Sequence, residues 1–111
     1  MIKKANGEKI VTKTEVADTY LKKTIGLMFK KNIPRDYALI IPLKKTKKVT
    51  IHSFFVFHDL DIITVSEKNK ILEKTTLKAL RDYTKIKAKK VIEARKNELN
   101  KIKPGNKIKI T

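Results

Sequence analysis

Val49-Thr50-Ile51-His52-Ser53-Phe54-Phe55-Val56-Phe57, followed closely by Leu60-Asp61-Ile62-Ile63-Thr64-Val65-Ser66, is the stretch on which the fold class turns. The first run is β-branched and then aromatic, which suits a pleated, half-buried surface and predicts the strongest strand of the chain. The second run predicts another. Glu67-Lys68-Asn69-Lys70 has hairpin chemistry, with Asn69 suited to positive φ. Residues 71–77 then return as its antiparallel partner.

Toward the N-terminus, residues 37–41 form a short apolar run stopped by Pro42, read as a buried strand. Lys44-Lys45-Thr46-Lys47-Lys48 is read as a basic loop. Pro34-Arg35-Asp36 is turn chemistry. Residues 8–17 are rich in β-branched types and predict one strand. Asp18 or Thr19 can cap a short helix to about residue 24, ended by Gly26. Toward the C-terminus, residues 78–103 favour helix by propensity, yet Lys85-Ile86-Lys87-Ala88-Lys89 alternates with period two. A strand over 86–94 and a short helix over 97–102 are expected. Pro104-Gly105-Asn106 turns the chain into a last strand at 107–110.

The 111 residues suit one domain, and the 41% hydrophobic content suits a folded one. There is no cysteine, which removes disulfides, thiolate metal sites and cysteine nucleophiles and fits a reducing cytoplasm. No apolar run has the length of a signal peptide or a membrane span. The net charge of +17 is carried almost wholly by lysine; Arg35, Arg81 and Arg95 are the only arginines. Such charge attracts polyanions, but lysine lacks the planar fork that reads bases.

Four segments in this order resemble the prokaryotic family called domain of unknown function 192. They are Val16-Ala17-Asp18-Thr19 with Ile25-Gly26-Leu27-Met28-Phe29; Ala38-Leu39-Ile40-Ile41-Pro42; Ile51-His52-Ser53-Phe54-Phe55-Val56 with Leu60-Asp61-Ile62-Ile63; and Val91-Ile92-Glu93 with Lys103-Pro104-Gly105-Asn106. The resemblance spans about residues 8–110. It implies a compact β-barrel or sandwich-like domain with short helices, and no established activity. Asn97 stands where that family commonly has glycine, and asparagine tolerates the same left-handed turn.

His52, His58, Asp59 and Asp61 form the one cluster of metal-ligand types. On a continuous strand from 52 to 58 the two histidines stand about 20 Å apart and share no metal unless the chain turns between them, whereas His58, Asp59 and Asp61 could converge at a bend. Neither a metal nor a cofactor is expected. Ser53 beside His52 points to the opposite sheet face and makes no triad. No phosphate loop, nucleophile elbow or dinucleotide motif is present. Phe54 points opposite to Phe55 and Phe57 on an extended strand; the core is the expected place for both sets, with one set lining a groove or pocket as the alternative.

The sequence thus reads as a single mainly β domain, a small barrel or sandwich with two short helices, over residues 1–111. The preferred function is a non-enzymatic, cytoplasmic binding module for an unknown small ligand or protein. His52, Phe54, His58, Asp59 and Asp61 are its candidate contacts. The alternative is weak, sequence-independent nucleic-acid or polyanion binding through Lys44, Lys45, Lys47 and Lys48. A third reading is an enzyme using acids and histidine near residues 52–61. No membrane partner is expected.

Overall fold

The computed structural model describes residues 1–19, 26–28 and 32–111, with the backbone alone at Lys47. Eight strands follow in order: β1 (Ile2–Lys4), β2 (Lys9–Val11), β3 (Lys13–Val16), β4 (Tyr37–His52), β5 (Leu60–Val65), β6 (Ile71–Leu77), β7 (Tyr83–Arg95) and β8 (Ile108–Ile110). They make two sheets, a three-stranded one ordered β2-β1-β8 and a five-stranded one ordered β3-β4-β7-β5-β6. Only the β3–β4 pair within them is parallel. The mainly β class is therefore as expected, but the sheets do not close into a barrel.

Among the described residues there is no helix, and hence none long and apolar enough to cross a membrane. The helix expected to run to residue 24 falls on residues 20–24, outside the described residues. The helix expected over 97–102 is a series of turns. Ile102 N–H donates to the Leu99 carbonyl at 3.3 Å, a three-residue closure, while Leu99 and Ile102 are both buried. Burial of two apolar anchors fixes this segment without helical continuity.

The β5–β6 hairpin has the expected strands and turn. Asn69 adopts φ 61° at its corner, and its N–H donates to the Ser66 carbonyl at 3.0 Å. The single strand expected over 8–17 is split between two sheets at Thr12. Its N–H leaves the ladder and donates to Asp36 Oδ1 at 2.7 Å. Nor does Pro42 end β4. The β3 partner stops at Val16 opposite Ile40, so beyond that point β4 is an edge among the described residues, and an edge tolerates proline. The expected basic loop is instead a bulge within β4. Pro42 pairs with Lys90 and Lys47 with Ala88, so residues 43–46 stand opposite the single residue Lys89. Lysines along this edge oppose pairing with another sheet.

The middle of the five-stranded sheet is buried on both faces. One face holds Leu39, Ile41, Leu60, Ile62, Ile86 and Val91, covered by Ala17, Leu27 and Ile33 from the β3–β4 connection. The other holds Ile40, Ile63 and Ile92 and joins the small sheet through Ile2, Val11 and Ile108.

Candidate functional site

β4 and β7 run past the bulge as a two-stranded ribbon that ends where His52 pairs with Tyr83. The chain does not continue as a strand to Phe57, as the sequence suggests. It turns at Ser53, whose side chain is fully buried. The Ser53 N–H donates to the Asp82 carbonyl at 2.9 Å. Its hydroxyl donates to the Lys78 carbonyl and accepts from Asp82 N–H at 3.0 Å. Leu80 N–H lies 3.1 Å from the carbonyls of both Ser53 and Val56. Residues 53–57 and 78–82 are thus sewn into one tip, with Val56 buried as its anchor.

Around that anchor the large apolar side chains point outward. Phe54 is 44% exposed, Phe55 58%, Phe57 49%, Leu80 54% and Tyr83 60%. The expectation that these phenylalanines fill the core is therefore wrong. Val56 alone of that aromatic-rich run enters it, because the turn at Ser53 breaks the two-residue alternation. Phe55 and Leu80 sit at φ 64° and 68°, the left-handed region that bulky residues avoid. Such backbone costs on the order of 1–3 kcal/mol per residue and persists where surrounding bonds over-determine it. The His52 ring stacks on Phe54, with centroids 5.1 Å apart and planes 24° apart. His52 Nδ1 is buried without a hydrogen-bond partner.

The acids near the tip serve the backbone. Asp61 is buried; Oδ1 accepts from Thr76 Oγ1 at 2.7 Å, and Oδ2 accepts from Asn97 N–H at 2.9 Å. The latter bond holds Asn97 at φ 77°, the left-handed turn expected there. Asp59 Oδ1 accepts from Ala79 N–H at 2.8 Å. Asp59 also lines an open depression of about 550 Å³ with Lys78, Ala79, Leu80 and Arg81. Asp82 accepts from Lys78 and Tyr83 N–H. Among the described residues no three ligand-type side chains converge on a metal position. Of the five expected contacts, the structure joins His52 and Phe54 and puts His58 and Asp59 on the adjoining loop. Asp61 turns inward.

Of the expected polyanion contacts, Lys44 and Lys45 are exposed on the bulge, and the Lys47 side chain lies outside the described residues. Lys48 is exposed on the ribbon opposite Lys87, just as Thr50 stands opposite Lys85. Sequence reasoning missed Tyr83, Lys85 and Lys87 as partners of the tip. Their alternation shows an outward face, but only the β4 register places them beside His52 and Lys48.

A second constellation lies at the other end of β7. Glu93 stands between Leu39 and Ile62 in the sheet and is 5% exposed. Burial raises its pKa to about 7. Gly26, at φ 55°, backs onto it; a Cβ there would stand 3.2 Å from Oε1. Nearby Tyr37 donates to Glu15 Oε2 at 2.7 Å. Burial and that carboxylate both raise the phenol's pKa.

The family model described as Uncharacterized ACR, domain of unknown function 192, matches residues 1–110. The chain belongs to this family. A Pyrococcus horikoshii relative, UPF0127 protein PH1112, is 40% identical over 99 residues, covering 85% of this chain and 84% of its own length. UPF0127 protein TK1120 of Thermococcus kodakarensis is 32% identical over 92 residues, 83% of this chain and 59% of that protein. Two solved structures share the fold of this family member. A provisional transcription regulator from Sinorhizobium meliloti 1021 superposes with TM-score 0.82 at 16% identity, over 97% of this chain and 88% of its own. A Novosphingobium aromaticivorans protein of unknown function superposes with TM-score 0.81 at 22% identity, over 98% of this chain and 81% of its own.

Proposed function

We propose that this protein is a non-enzymatic binding module and that the aromatic tip at residues 52–57 and 78–83 is its ligand surface. One observation carries the reading: bulky Phe55 and Leu80 are held exposed on left-handed backbone by a buried serine node. Packing alone favours small or polar residues at such positions. Contact with something outside the chain gives the strain a purpose. The nearby carboxylates of Asp59, Asp61 and Asp82 are occupied by backbone amides, which favours binding over acid–base chemistry. The lack of cysteine is compatible with a cytoplasmic setting.

The test is thermal unfolding of Phe55→Asn and Leu80→Asn. Asparagine accepts this backbone more readily, so both variants should melt at or above the parent temperature. A clear fall in both would show that the two side chains support the fold, and would overturn the reading.

A further inference from the structure

We propose that the ligand is single-stranded nucleic acid, laid along the outer face of the β4–β7 ribbon and out over the tip; this rests on the binding-module reading above. The register supplies three successive rungs on one face: His52 opposite Tyr83, Thr50 opposite Lys85, and Lys48 opposite Lys87. Directly opposed residues of an antiparallel pair project together, about 5 Å apart. Successive rungs follow every second residue, about 7 Å along the strands. Tyr83, Lys85, Lys87, Thr50 and Lys48 are all exposed, while the alternate residues Ile86 and Ala88 are buried beneath them.

The chemistry of the face changes along its length. The lysine rungs present cations to a phosphate backbone. The last rung presents the Tyr83 ring and the stacked His52–Phe54 pair, which are flat surfaces for bases. Aromatic platforms joined to a cationic track are the recurring device for single strands. Lys78 and Arg81, both exposed, extend the positive charge around the tip, where they line one depression with Leu80. A duplex hides its base faces in the stack and can use only the charge. Lysine in place of arginine leaves little base discrimination, so binding is sequence-tolerant. An apolar tip ringed by cations also suits an anionic bilayer. The rings and lysines aligned along one sheet face favour the strand, because bilayer insertion needs the tip alone.

The experiment is fluorescence anisotropy on the full chain with short labelled single-stranded DNA and RNA, the matched duplex, and competing phosphatidylglycerol vesicles. Single strands should bind at least tenfold tighter than duplex at near-physiological salt. Tyr83→Ala should weaken single-strand binding about tenfold or more, as loss of one stacking platform does. Lys85→Gln with Lys87→Gln should weaken it and flatten its salt dependence. Lys44→Gln with Lys45→Gln, on the bulge, should have the smaller effect. Melting curves of each variant confirm that it is folded. Equal affinity for duplex, binding to vesicles alone, or no binding at all overturns the nucleic-acid assignment. The asparagine variants then report separately on whether the tip is a ligand surface.

Discussion

The Gly26 backbone rests on the buried Glu93 carboxylate, so closely that a Cβ would come within 3.2 Å of Oε1. Two of the segments that mark the family, the glycine turn and the end of β7, therefore meet at one point. Gly26→Ala should destabilise the fold through two separable effects. One is the left-handed backbone at φ 55°, worth on the order of 1 kcal/mol. The other is the contact itself. In a Glu93→Ala background the second effect should vanish and the first remain. Urea unfolding of the four proteins in this double-mutant cycle measures both.

Glu93 makes stability depend on pH. Its folded pKa is raised by burial to about 7, against an ordinary value of 4.5. The folded state therefore holds a proton that the unfolded state has released between these values. Stability from this group falls as pH rises from about 4.5 to about 7, then stays level. The full loss is roughly 3 kcal/mol. Glu93→Gln should abolish this slope and be the more stable protein at pH 8. The check is the difference in urea midpoint between parent and variant across pH 4.5–8; a parent that gains on the variant with rising pH contradicts the prediction.

Asp61 should be worth more than its exposed neighbours. Asp61→Ala removes the acceptor of the Asn97 amide and of the Thr76 hydroxyl and should cost about 1–2 kcal/mol. Asp61→Asn keeps an acceptor for one of them and should cost less. Thermal unfolding of the two variants tests the order.

Ser53→Ala should loosen the tip without loosening the sheet. It removes the acceptor of Asp82 N–H and the donor to the Lys78 carbonyl, at about 1–2 kcal/mol. Amide hydrogen exchange should quicken at Ser53, Leu80 and Asp82 and stay slow along β5. Equal acceleration in both regions would show that Ser53 supports the whole fold.

The parts of the molecule that were legible in advance are those governed by neighbours in sequence. The β5–β6 hairpin follows from alternation and one asparagine, and Asn97 fills a left-handed turn that its residue type allows. The aromatic tip was misread because apolar runs look alike whether they fill a core or cap a loop. The turn at Ser53 depends on Lys78 and Asp82, some thirty residues away. The same limit hid the break at Thr12, which Asp36 creates, and the bulge opposite Lys89. The alternation of Lys85 and Lys87 with Ile86 and Ala88 was visible in the sequence, but its meaning, and that of Tyr83, lies in a cross-strand register. Glu93 gave no local signal, since its burial comes from Leu39, Ile62 and the Gly26 turn.

Ile2 pairs with Ile110, so during synthesis it awaits a partner made about a hundred residues later. At ribosomal rates that interval is roughly 5–20 s. Meanwhile β1 can form only its hairpin with β2, leaving Ile2 and Val11, both fully buried at the end, without their final cover. Lys3, Lys4 and Lys9 on the same short hairpin keep its open edge charged during the wait. Charge at such an edge opposes pairing with other chains until β8 covers it.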